Sequence, residues 1–254
     1  MSTNLYDSER LARGYAFDRP PVHQAVIAAL HKHLPHHFKR ALDLGCGAGL
    51  STAALAPLAD CAYGIEPVAN MLKHRRAVTE QAHFVVAQAE HLPFAANSFD
   101  LLTAAGSLNY ANLDLFFPEA ARVLTNEGVL AIYDFSEGRR LHGDERLELW
   151  YESFKQRYPS PPGYAMDVCA LSYELFGLNL RAYHELEVAV PLDLDRYLRY
   201  ALSETSVERA IARGENESAI RAWCNETLAE IFDDHPRDVL FDAYFALVSK
   251  KENL

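Results

Sequence analysis

Two carboxylates flank a run of glycines near the start of the chain. Asp43-Leu-Gly-Cys-Gly-Ala-Gly49 places glycine at every second position, and Glu66 follows roughly twenty residues beyond the first glycine, the spacing at which an acidic side chain can meet a ribose. Glycine tolerates left-handed backbone and has no Cβ to hold a ligand off the main chain. A turn that opens into a helix also presents free N–H groups to electronegative ligand atoms. These residue types in this order predict a nucleoside site. In the dinucleotide fingerprint G-x-G-x-x-G the last glycine packs helix against strand beside a pyrophosphate. Leu50 stands at that position here, and Asp43, two residues before the first glycine, suits a positively charged ligand better than a pyrophosphate.

Such a turn must sit between a buried strand and a helix. From 38 to 135 short apolar runs alternate with amphipathic stretches, the pattern of an α/β protein with a parallel sheet. Strands are expected over 41–44, 61–65, 83–87, 99–104 and 129–135, apolar nearly throughout, as strands covered on both faces should be. Helices are expected over 50–58, 69–80 and 116–124, with a turn at 126–128. After Asp134 the alternation stops. The pattern then predicts a helix over 142–158, a break at Pro159, Pro161, Pro162 and Gly163, a strand over 183–190, helices over 192–202 and 217–232, and a last strand over 239–248. The stretch 164–180 carries no assignable period. Residues 1–135 are expected to form N-terminal helices and the binding core, 136–182 a helical cap, and 183–254 the remainder of the sheet with further cap helices.

Asp43–Gly49 resembles the first motif of the class I S-adenosylmethionine-dependent methyltransferases, and other segments match in order. Gly64-Ile-Glu-Pro67 with Met71-Leu72 is similar to their acidic second-strand motif. Gln88-Ala-Glu-His-Leu-Pro-Phe94 and Asn97-Ser-Phe-Asp100 resemble the adenine-side motif and fourth strand of the small-molecule branch. The segment 119–132 looks like the helix, glycine turn and fifth strand, and 12–20, with Tyr15 and Arg19-Pro20, is similar to an N-terminal segment of that branch. The resemblance covers roughly the first 135 residues. It implies a Rossmann-like, doubly wound, mostly parallel seven-stranded sheet in the order 3-2-1-4-5-7-6, with a mainly helical cap inserted after the fifth strand.

Carried over position by position, the resemblance implies that Gly45, Cys46 and Gly47 face the methionine part of S-adenosylmethionine, with Asp43 nearby. Glu66 would hold the ribose, Pro67 and Met71 would pack around the adenosine, and Gln88 and Ala89 would meet the adenine edge. Ala105 would lie near the methionine chain, with Tyr15 closing over it. Two positions depart from the pattern. Gln88 stands where the family often has Asp, and Asn109, before Tyr110, where close relatives often carry His.

Methyl transfer from a sulfonium asks mainly for alignment and exclusion of water, so no fixed catalytic signature is expected, and a base is needed only when the acceptor must lose a proton. Candidate acceptor contacts are His23, Asn109, Tyr110, Trp150 and Tyr151, though Trp150 and Tyr151 on an amphipathic helix equally suit plain packing. The histidines 31, 33, 36 and 37 read as a helix end and not as a metal site. A net charge of −11 argues against nucleic acid as the partner. Four cysteines without a C-x-x-C pair, a polar N-terminus and no long apolar run lead us to expect a cytoplasmic protein outside the membrane. The expected function is methylation of a small molecule. A protein that binds the nucleoside without transfer, other sulfonium chemistry, or an NAD(P)-dependent oxidoreductase remain open on the sequence.

Overall fold

A computed structural model describes residues 4–34, 37–160, 166–233 and 235–251. Its sheet is built from β1 (Phe38–Leu44), β2 (Ala59–Glu66), β3 (His83–Val86), β4 (Phe99–Ala105), β5 (Leu124–Phe135), the two-residue β6 (Arg140–Leu141), β7 (Leu178–Leu192) and β8 (Arg237–Lys250). The pairing runs β3-β2-β1-β4-β5-β8, and both β7 and β6 also pair with β8. Strands β1 to β5 are parallel and β8 is antiparallel to β5, β6 and β7. With β6 set aside as a short continuation of the β5 edge, this is the expected order 3-2-1-4-5-7-6. The chain order reverses on either side of β1, so the crevice at the carboxyl ends of β1 and β4 is where an α/β sheet holds a ligand.

Helices α1 (Glu9–Phe17) and α2 (Val22–His31) precede the sheet; α3 (Leu50–Ala54), α4 (Arg75–Val78) and α5 (Leu113–Val123) connect its first strands. After β5 come α6 (Arg146–Arg157) and then, between β7 and β8, α7 (Leu194–Leu202), α8 (Thr205–Ala212) and α9 (Glu217–Phe232). Side chains at alternate strand positions divide between two apolar clusters. Ala41, Leu101, Ala131, Tyr133, Phe241, Phe245 and Leu247 pack with α2 and with helices α6 to α9. Leu42, Leu44, Leu102, Leu130, Ile132, Ala246 and Val248 pack with α5 and with Val168 and Tyr173. Both faces are therefore covered, which is why the strands read as nearly unbroken apolar runs.

Several boundaries differ from expectation. The helix expected over 50–58 ends at Ala54, because Pro57 lacks an N–H and disfavours helical backbone in the residue before it. The stretch 69–80 is a 3-10 turn, Met71–His74, followed by the single turn α4, which stops where Thr79 turns extended. The turn expected at 126–128 is a bulge inside β5: Phe99 pairs with Leu124, but Leu101 already pairs with Val129. Strand β7 begins at Leu178 and takes only the last three residues of the stretch that carried no period, and α8 was not anticipated. Among the described residues between 136 and 182 are β6, α6, a 3-10 turn, Tyr173–Phe176, and the start of β7. The break at Pro161, Pro162 and Gly163 lies outside the described residues.

Candidate functional site

Strand β1 carries Asp43 into the interior, where it is fully buried. Ser51 (2.5 Å) and Thr52 (2.7 Å) donate to its Oδ2 and Thr103 (2.9 Å) to its Oδ1. Burial pushes the carboxyl up to about 6, and the three hydroxyls hold it down only in part. Asp43 thus ties β1, α3 and β4 together beneath the turn, and it acts on anything above through its field.

In the turn itself Gly45, Gly47 and Gly49 have φ of 68°, 54° and 95°. Two of them are fixed by different needs. A Cβ on Gly45 would lie 2.6 Å from the Ser107 Cβ, so the loop after β4 can close on the turn only because that atom is missing. Ser107 uses this approach to donate to the Leu44 carbonyl at 2.6 Å. At Gly47 a Cβ would meet only the Met71 Cε, at 3.6 Å, so its Cα faces space that a ligand can enter. Cys46 between them is buried. Burial, reinforced by the Asp43 and Glu66 carboxylates, pushes its thiol well above the ordinary range, which leaves it protonated and unreactive.

Glu66 ends β2 with its carboxylate against the turn. Oε2 accepts from the Gly47 N–H (3.0 Å) and Oε1 from the Val68 N–H (3.0 Å). Each oxygen keeps a lone pair for a further donor. Burial raises its pKa, and the two backbone bonds offset part of that rise. Met71 is buried beside it and Pro67 is exposed. Gln88 is exposed and Ala89 half-buried just past the end of β3, and Ala105 is the last residue of β4. The turn, Glu66, Met71, Gln88, Ala89 and Ala105 are thus gathered along one carboxyl edge.

The N-terminal segment crosses that edge. On one side Asn70 donates to the Asp7 side chain (2.8 Å), and Glu9 meets Lys73 (2.6 Å) and His74 (3.0 Å). On the other, Arg10 pairs with Glu208 (2.6 Å) and Arg19 with Glu204 (3.0 Å), while Arg19 also donates to the Ser203 carbonyl (3.0 Å). The Arg19 guanidinium lies 4.2 Å from the centre of the Tyr15 ring. Tyr15 in turn meets Tyr6 edge-on, and the Tyr6 and Tyr110 hydroxyls are 2.9 Å apart. α1 is therefore strapped between the Met71–His74 turn and the start of α8.

The remaining candidates fall in different places. His23 is hydrogen-bonded through Nδ1 to the Tyr133 hydroxyl (3.0 Å), and burial pushes its pKa down to about 4, so it is neutral at pH 7. Asn109 borders a small void at the ends of β4 and β5, and Tyr110 is largely exposed. Tyr151 is buried on the inner face of α6. Trp150 is not brought to the edge: its indole N–H donates to Thr227 (2.7 Å) and its ring stacks on Phe154 and Trp223 between α6 and α9. Among the described residues no group of three His, Cys, Asp or Glu is arranged to hold a metal, and no helix is long and apolar enough to cross a membrane; His36 lies outside the described residues. Asp134, at the end of β5, was not singled out by its sequence context, because its neighbours come from β4 and β8.

A turn of left-handed glycines, a carboxylate pinned across it and a switch point beneath them form the framework of one family of nucleoside sites. Residues 42–132 match the family model described as "Methyltransferase domain". Over that stretch the chain is similar to methyltransferase domains, and its sheet has the Rossmann-like order. It is 32% identical over 146 residues to the ubiquinone/menaquinone biosynthesis C-methyltransferase UbiE of Rhizobium rhizogenes, covering 50% of this chain and 52% of that one. It is 23% identical over 155 residues to a candidate methyltransferase of Dictyostelium discoideum, covering 59% of each. The chain thus spans little more than half the length of these curated relatives. Among solved structures, a candidate type II methyltransferase from Anaeromyxobacter dehalogenans superposes with a TM-score of 0.67 at 20% identity, over 89% of this chain and 95% of that one. That likeness is one of fold. The match ends within β5, so helices α6 to α9 and the β7–β8 pair lie outside it.

Proposed function

We propose that this protein transfers a methyl group from S-adenosylmethionine to a small-molecule acceptor. The observation that carries the reading is the Glu66 carboxylate, held by the Gly47 and Val68 N–H groups beside the open face of Gly47. Both oxygens are oriented before any ligand arrives and both can still accept a ribose hydroxyl, so little ordering cost remains at binding. The residues present fit the cofactor. Backbone at Gly45, Cys46 and Gly47 would hold the methionine part, Glu66 the ribose, Pro67 and Met71 the adenosine, Gln88 and Ala89 the adenine edge, with Ala105 at the methionine chain. Bound there, the cofactor supplies an electrophilic methyl on a positively charged sulfur. Asp43 and Glu66 give the edge a negative field suited to that charge. Tyr6 links Tyr15 and Tyr110 where the N-terminal segment crosses the edge, and this group would limit water at the reacting atoms. The acceptor is read as a small molecule because the N-terminal segment crosses this edge, and a net charge of −11 disfavours a nucleic acid. A cytoplasmic setting is part of the reading, and the four unpaired cysteines suit it.

Isothermal titration calorimetry tests the proposal. S-adenosylmethionine and S-adenosylhomocysteine should bind and NADH should not. Glu66→Ala should weaken both nucleosides by about 1.5–3 kcal/mol, roughly 10- to 150-fold, through loss of charge-assisted bonds. Binding of NADH alone, or nucleoside affinity indifferent to Glu66, would reject the assigned pose.

A further inference from the structure

The three carboxylates at the carboxyl edge are not equivalent. The Asp43 oxygens are taken by three hydroxyls, and each Glu66 oxygen by a backbone N–H. Asp134 has one bond among the described residues, from the Phe135 N–H to Oδ1 at 2.8 Å; its Oδ2 has no partner. No lysine, arginine or histidine among the described residues pairs with it. The register explains its placement. Ala105 at the end of β4 pairs with Tyr133, so Asp134 stands one residue beyond the point where β4 stops. There the chain turns at Gly106, with φ of 61°, and a Cβ on Gly106 would lie 2.8 Å from Asp134 Oδ1. The carboxylate therefore lies flat against a glycine, on the wall of a small void bordered by Asn109, Tyr133, Met166 and Tyr244.

The position of that void relative to the turn matters. β4 has β1 on one side and β5 on the other. A nucleoside held by Gly45–Gly47 and Glu66 occupies the β1 and β2 side, so its reacting partner must approach the end of β4 from the β5 side. We propose that Asp134 receives the proton that the acceptor's attacking atom gives up, which makes the acceptor a protic nucleophile, an N–H or O–H compound. The inference rests on the function proposed above. In the step, the acceptor's lone pair forms the bond to the methyl carbon while the carbon–sulfur bond breaks and its electron pair stays on sulfur. The proton leaves the acceptor atom for Asp134 Oδ2. One positive charge on sulfur and one negative charge on Asp134 disappear together, so no further reactant is needed.

The surroundings suit a proton acceptor. Burial raises the pKa of Asp134, the Phe135 N–H lowers it in part, and Glu137 in the following loop raises it further. Tyr133 from its own strand and Tyr244 from β8 are the other titratable groups that face it, and both are held neutral by burial. The loop after β4 contributes Ser107, Leu108, Asn109 and Tyr110, and no Asp, Glu, Lys, Arg or His.

The test needs no knowledge of the acceptor. S-adenosylmethionine and S-adenosylhomocysteine differ by one methyl and one positive charge at the sulfur, which should face Asp134. The full-length protein, labelled with 13Cγ-aspartate, is titrated by NMR in each complex, and the Asp134 signal is assigned by its loss in Asp134→Asn or, should that variant fold poorly, in Asp134→Glu. Asp134 should titrate at least about one pH unit lower with S-adenosylmethionine than with S-adenosylhomocysteine, because an opposite charge a few ångströms away favours the carboxylate. By linkage, Asp134→Asn should reduce the ratio of S-adenosylmethionine to S-adenosylhomocysteine affinity by about tenfold or more at pH 8. If both nucleosides bind and Asp134 titrates alike in the two complexes, this inference is overturned and the proposed function stands. If neither binds, the proposed function falls, and this inference with it.

Discussion

Replacing Asp43 by Asn gives a measurable link between burial and stability. The carboxyl is fully buried and its pKa rises from 3.8 to about 6 on folding. Because the folded value is the higher one, the native state holds its proton over a pH range in which the unfolded chain has released it. Stability therefore falls as pH rises from about 4 to about 6 and stays low above that. A rise of roughly two pH units corresponds to about 3 kcal/mol, of which about 2–3 kcal/mol develops between pH 4 and pH 7. Solvent screening removes little of this, since no part of Asp43 reaches water. Asn keeps the shape but cannot ionise, so urea unfolding of Asp43→Asn should lack this slope. Other titrating groups cancel in the difference between the two proteins. The difference in unfolding free energy between wild type and variant should thus move by about 2–3 kcal/mol between pH 4 and pH 7, against the wild type at the higher pH. A difference that stays constant would show that Asp43 is not held in a desolvated site, and the description of the turn's foundation would be wrong.

Other consequences can be measured on the same material. Arg19 and Glu204 are both mostly buried, so Arg19→Met or Glu204→Leu alone should cost about 3 kcal/mol in urea unfolding, while the double variant should recover most of it; equal losses that simply add would refute the coupling. Gly45→Ala should destabilise by about 1–3 kcal/mol, through a left-handed φ and a collision with Ser107. Gly47→Ala should cost only about 1–2 kcal/mol of stability yet reduce S-adenosylhomocysteine affinity in calorimetry, and the reverse ranking would misplace the open face of the turn. Trp150→Phe should lose about 1 kcal/mol with the Thr227 hydrogen bond and leave nucleoside affinity unchanged; weakened binding would bring the cap helix pair into the site.

The first half of the fold was legible because local rules decide it. Asp43–Gly49 announces a strand, a turn and a helix within one short segment, and Glu66 follows at the spacing of one crossover. The sheet order followed from resemblance, and β1 to β5 lie within two or three residues of expectation apart from the bulge and extra residues at the start of β5. What stayed hidden depends on residues far apart in the chain. Arg19 meets Glu204 across 185 positions, and nothing near either one signals the other. Asp134 looks like an ordinary strand end until the register beside Ala105 and the missing side chain of Gly106 place its carboxylate against the chain turn, beside a small void. Trp150 could have faced ligand or helix on its helical period alone; the Thr227 hydroxyl, supplied by α9, decides for packing. The short α3 was readable from Pro57, whereas the break between the Met71–His74 turn and α4 has no comparable mark.

The most direct measurement is a crystal structure of the protein with S-adenosylhomocysteine. Both ribose hydroxyls should donate to the Glu66 carboxylate, the methionine part should run along Gly45–Gly47, and the sulfur should face the Gly106–Asp134 end of the crevice. A nucleoside bound elsewhere, or one whose sugar makes no contact with Glu66, would contradict the account.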